Sequence, residues 1–165
     1  MASPSTFTAP ILFREQVSFA KAPSLPAGSI SKTDIVASAD VEASKLEHQY
    51  AATVSQKLGT DAATEAAVAH VVYGTSGSLL AFEAGAVTPA GATTTVTVDL
   101  KKNGTTVLSG VITLNNTQAA YQLVSGTISG ATLAADDVLT VHFTLSGANE
   151  PQGVFARLVW TEKAA

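Results

Sequence analysis

The chain has 165 residues, of which 46% are hydrophobic and only 13% charged, and it carries a formal net charge of -4. That length accommodates one compact domain of about 100–150 residues with an extension, and a second core is not expected. The acidic balance and nine scattered basic residues speak against nucleic-acid binding, and the absence of cysteine excludes disulfides, thiol catalysis and cysteine-based zinc sites.

Residues 1–33 hold four of the six prolines, Pro4, Pro10, Pro23 and Pro26. Each restricts the residue before it to extended conformations, so this segment reads as an irregular, far-reaching arm. Isolated large apolar residues punctuate it: Phe7, Ile11, Leu12, Phe13, Val17, Phe19, Leu25 and Ile30. Such anchors have no core of their own and need another surface to bury them, which points to an assembly protein rather than a free enzyme. The N-terminus lacks the basic and apolar regions of a secretory signal, and no stretch approaches the roughly 18 apolar residues of a membrane span. The product is therefore expected to be soluble and made in the cytoplasm, with no membrane partner.

Residues 34–47 form the second segment, a short helix or linker. Ser38 or Asp40 can cap it, and Val41 with Leu46 gives it a small apolar stripe. From His48 the period changes to two, and 48–165 reads as one β domain. Strands are expected around Tyr50 and over 67–73, 78–86, 93–102, 105–114, 119–128, 138–145 and 153–161, about eight in all. An Asn103-Gly104 turn between two alternating runs predicts a hairpin, with Lys101 and Lys102 solvated beside it. No helical runs separate the strands, so a parallel α/β sheet is disfavoured and an antiparallel sandwich or barrel favoured. Within 105–114, Val107, Leu108, Val111, Ile112 and Leu114 make a strand apolar on both faces. Such a strand must be covered twice, by another subunit or by a loop or the arm.

Sites of chemistry are sparse. His48, His70 and His142 fall on different strands without metal-ligand spacing, and a structural role is expected for each; His48 is also placed where it could line a symmetry axis. Asp136-Asp137 reads as turn chemistry rather than as a calcium or acid-base pair. Glu65, Glu83, Asp99, Glu150 and Glu162 are dispersed. The loops around Gly74-Thr75-Ser76-Gly77-Ser78 lack both the nucleophile-elbow pattern and the lysine of a phosphate loop. Trp160 is expected in the core or an interface, with a sugar-stacking platform as the lesser reading. No catalytic residue, cofactor or metal site is expected, and the chain is read as a non-enzyme.

The arm from Phe13-Arg14-Glu15-Gln16-Val17 to Ser29-Ile30, then Ala43-Ser44-Lys45-Leu46-Glu47-His48, resembles virion proteins of tailed bacteriophages. The likeness continues through His70-Val71-Val72-Tyr73-Gly74, residues 96–104 and Gly153-Val154-Phe155-Ala156. The closing part, Leu133-Ala134-Ala135-Asp136-Asp137-Val138-Leu139 through Arg157-Leu158, resembles the end of trimeric jelly rolls of the tumour-necrosis-factor and C1q type, with Asp136 where that pattern has glycine. These resemblances imply an all-β, jelly-roll-like antiparallel β-sandwich that assembles as a homotrimer. They also imply a capsid decoration, or cement, protein on the virion exterior, whose arm lies on the major capsid protein through Phe13, Val17, Phe19, Leu25 and Ile30. The other reading is a receptor- or glycan-binding module of a head or tail fibre, attached by its arm.

Overall fold

The computed structural model describes residues 47–147 and 151–163. Ten strands occupy them: β1 (Glu47–Ser55), β2 (Glu65–Val71), β3 (Ser76–Thr88), β4 (Thr95–Lys102), β5 (Thr105–Thr106), β6 (Ile112–Leu114), β7 (Val124–Ser125), β8 (Thr132–Ala134), β9 (Val138–Ser146) and β10 (Gln152–Lys163). One sheet runs β1-β10-β3-β7, with β8 also on β3; the other runs β2-β9-β4-β5, with β6 also on β4. Every ladder is antiparallel. Because β5 and β6 share one flank of β4, and β7 and β8 one flank of β3, the ten strands fill eight positions. Their order, 1-8-3-6 in one sheet and 2-7-4-5 in the other, is that of a jelly roll. The expected all-β sandwich is therefore present. The arm and nearly all of the 34–47 segment lie outside the described residues, while Glu47 is the first residue of β1.

Alternation builds the core between the sheets. Val96, Val98 and Leu100 of β4 and Leu139, Val141 and Phe143 of β9 point inward from one sheet. Facing them are Phe82 and Ala84 of β3 with Val154, Ala156 and Leu158 of β10. Threonines and charged residues alternate with the apolar ones on β4 and β9, as a half-buried antiparallel sheet requires. Each fully buried large apolar side chain stabilises the fold by about 1.5–3 kcal/mol.

The predicted hairpin is present. Lys102 pairs with Thr105 across a two-residue loop in which Asn103 has φ 50° and Gly104 φ 83°, the left-handed pair that a primed turn demands. Asn103 also reaches beyond its own turn: its Oδ1 accepts from the Val138 N–H at 2.8 Å, and its Nδ2 donates to Asp137 Oδ1 at 2.6 Å.

The expected strand over 105–114 is not continuous. After β5 the chain leaves β4 and crosses toward the other sheet, where Leu108 bridges Ile128 and the Ser109 N–H donates to the Thr127 carbonyl at 2.9 Å. At this corner Val107 and Leu108 both enter the core, and Val111 stays exposed. The break, not a second subunit on the outer face, accounts for the run of apolar residues. Likewise, of 119–128 only Val124–Ser125 joins a ladder; the segment before it is a turn in which Asn115, Gln118 and Gln122 side chains accept backbone N–H groups.

Phe143 is 1% exposed between the sheets. Replacing it with alanine leaves a cavity that strands from both sheets cannot close, so Phe143→Ala should lower unfolding free energy by about 3–5 kcal/mol in denaturant titration.

Candidate functional site

The densest group of ionisable and aromatic side chains lies where the two edge strands, β1 and β2, flank the same side of the sandwich. It begins with the alternation of β10. Val154, Ala156, Leu158 and Trp160 all face inward, and the next residue in that row is Glu162, 6% exposed. A carboxylate at the end of an apolar row must be met by donors, and three are supplied. The Trp160 Nε1–H donates to Oε1 at 2.7 Å, the Gly74 backbone N–H donates to Oε2 at 2.9 Å, and His70 Nε2 also meets Oε1.

His70 reaches this position through a bulge. In β2, Ala67 opposes Val141 and Val68 opposes Thr140, but the next pair is His70 with Leu139. Ala69 is therefore the extra residue. Paired regularly, with no bulge, the same residues would place Ala69 opposite Leu139 and turn His70 to the outer face. Gly74 is equally constrained, since a Cβ there would sit 2.1 Å from the Lys163 carbonyl oxygen. Only glycine brings its N–H so close to Glu162. Around the carboxylate the rings gather: Trp160 lies tilted 4.4 Å from the His70 ring and stacked 5.7 Å from Tyr50, which opposes it across the β1–β10 ladder, and His48 follows, tilted, at 6.2 Å from Tyr50.

Burial pushes the Glu162 carboxyl up, but the hydrogen bonds from Gly74, His70 and Trp160 and the neighbouring His70 charge outweigh it and hold the group below its ordinary value. Both carboxylate oxygens are occupied, so the arrangement is a tie between sheets rather than a poised acid or base. It fastens β2 of one sheet to β10 of the other. Among the described residues, no three His, Asp or Glu side chains are grouped to hold a metal ion.

The remaining expectations can be placed. Asp136 has φ 65°, and Asp137 accepts the Ala134 N–H at 2.8 Å and the Asn103 amide, with the Lys102 ammonium 3.4 Å away. This is the turn chemistry expected of the pair, and it ties the β4–β5 hairpin to the β8–β9 turn. The Ala134 hydrogen bond, with those of Asn103 and the Lys102 charge, holds Asp137 below its ordinary value against burial. His142 contacts the Thr140 hydroxyl at 3.1 Å. Trp160 is 4% exposed, which suits core packing and removes it as an open sugar platform. Glu83 pairs with Arg157, and Asp99 accepts from Thr106. The anchors Phe13, Val17, Phe19, Leu25 and Ile30 lie outside the described residues.

Sequence reasoning counted Glu162 among dispersed carboxylates and so missed the centre of this cluster. The signal was present in β10: an acidic residue two positions beyond Trp160 continues the inward row.

No protein-family model matches the chain, and no curated protein matches it.

Glu162 and Asp137 both have folded-state pKa values below their ordinary 4.5 and 3.8, so the stability they contribute is fully present above those ordinary values and is lost as pH falls through the folded ones. The melting temperature should fall as pH drops below about 4. Glu162→Gln, which turns an acceptor into a donor facing other donors, should cost about 1–3 kcal/mol at neutral pH and flatten that acid dependence, read by thermal melts across pH.

Proposed function

We propose that this protein is a capsid decoration, or cement, protein of a tailed bacteriophage, built from an adhesive N-terminal arm and a jelly-roll domain that assembles with copies of itself as a trimer. The observation that carries the reading is the arm: large apolar residues spaced between prolines, in a segment whose composition provides no core to receive them. The described domain supports it, because its own apolar rows face one another and its main buried carboxylate is spent on joining its sheets. Glu47, the first described residue, pairs with Lys163 in the β1–β10 ladder.

In this reading the arm lies along the major capsid protein and buries Phe13, Val17, Phe19, Leu25 and Ile30 at joints of the shell. Each anchor contributes modestly, and several anchors on one arm, repeated over the copies of an assembly, multiply into avidity. The domain contributes self-association and an outer surface on the virion.

A second reading, a receptor- or glycan-binding fibre module, is favoured by two exposed loop tyrosines, Tyr73 at 83% and Tyr121 at 67%. It predicts that Tyr73→Ala or Tyr121→Ala reduces binding to host cells or to a glycan array while leaving attachment to shells intact.

The decoration reading is tested by shell binding. Substituting serine at Phe13, Val17, Phe19, Leu25 and Ile30 together should lower occupancy on purified shells by well over tenfold, since each lost apolar contact is worth about tenfold or more. Unchanged occupancy, or unchanged occupancy after removal of residues 1–33, would sink it.

A further inference from the structure

Asparagine before glycine is chemically fragile, because glycine has no side chain to shield the backbone nitrogen that follows the asparagine amide. Of the four asparagines in the chain, Asn103 alone precedes a glycine, and no aspartate does. Both residues of the pair are exposed at the tip of the β4–β5 hairpin, and a Cβ on Gly104 would meet nothing within 4 Å. The glycine side of the pair is open. The asparagine side is held on the β8–β9 turn at three points. The Asn103 N–H donates to the Val138 carbonyl at 2.9 Å, its Oδ1 accepts the Val138 N–H at 2.8 Å, and its Nδ2 donates to Asp137 Oδ1 at 2.6 Å. Asp137 is fixed in turn by the Ala134 N–H at 2.8 Å and the Lys102 ammonium 3.4 Å away.

We infer that Asn103 is a self-modification site, an asparagine that deamidates through its own backbone, and that its bonds to the β8–β9 turn set the rate. The Gly104 nitrogen attacks Asn103 Cγ; a carbon–nitrogen bond forms, the nitrogen's proton passes to the departing amide, and the Cγ–Nδ2 bond breaks to release ammonia. Water then opens the five-membered imide, at Cγ to give aspartate or at the main-chain carbonyl to give isoaspartate. The sum is one water consumed and one ammonia released, with no redox change. Two features of the fold oppose the first step. Both polar atoms of the amide must leave the β8–β9 turn, and at about 1 kcal/mol for each bond this slows closure about tenfold or more. The ring also needs an Asn103 ψ far from the roughly +30° of a type I′ turn. Either product unfastens the joint that delayed it. Aspartate has no N–H to give and sets a second carboxylate against Asp137, and isoaspartate adds a methylene to the main chain of a two-residue loop. The inference is independent of what the arm binds.

The test incubates the full chain at constant pH and temperature and follows position 103 by peptide mapping and mass spectrometry, which separate asparagine, aspartate and isoaspartate. Native wild type should convert at least about tenfold more slowly than the same chain in denaturant. Asp137→Ala, which removes the acceptor of Nδ2, should raise the native rate at least threefold while circular dichroism still reports a folded domain. Asn103→Asp, the main product made directly, should lower the melting temperature by about 2–8 °C. Equal rates in native and denatured wild type overturn the control by the fold, and this comparison stays decisive if Asp137→Ala fails to fold. A folded Asp137→Ala variant that converts at the wild-type rate overturns the role of the joint. No conversion at position 103 even in denaturant overturns the site itself, and an Asn103→Asp variant as stable as wild type overturns its structural consequence.

Discussion

Glu162 has to be satisfied before the sandwich can close. Its place at the end of the inward row of β10 puts a carboxylate where an apolar side chain would otherwise continue the core, and the cost of burying it without donors would exceed what one residue's packing returns. Three separate parts of the chain answer that demand: Trp160 from the same strand, Gly74 from the loop after β2, and His70 from the facing sheet. The polar tie therefore does for this cysteine-free chain what a covalent link between sheets does elsewhere. It acts between β2 and β10, on the side of the sandwich where the edge strand of each sheet lies.

Much of this architecture is legible in the sequence, because hydrophobic alternation and turn chemistry are local signals. The β4–β5 hairpin follows from Asn103-Gly104 flanked by Val96, Val98, Leu100 and the threonines after the turn, and the strands around Phe143 and Leu158 follow from the same period. What escapes is whatever depends on a change of phase. Val107 and Leu108 both face the core because the chain turns a corner between sheets, an event that a count of apolar residues reads as one strand covered on two sides. The short β8 hides for a different reason: three residues on the flank of β3 are too few to display a period.

The candidate site was opaque for related reasons. His70, Gly74 and Glu162 are separated by as many as 92 residues, and only the jelly-roll order makes them neighbours. Each looks ordinary alone: a histidine in a strand, a glycine in a loop, a glutamate near the end. Asp137 was easier to interpret, since an aspartate pair before a strand is a local turn signal, yet its bond to Asn103 links two turns that the sequence shows only as separate. The domain thus spends its polar side chains on tying loops and sheets together.

The bulge at Ala69 carries an implication for how such a chain tolerates change over time. Residue replacements in β2 alter one side chain, and the ladder absorbs them. Loss of the Ala69 codon acts on the register instead: the strand becomes regular with His70 still opposite Leu139, so the histidine that fastens the sheets keeps its face. At this bulge β2 can therefore shed one residue to drift without moving its histidine to the other face.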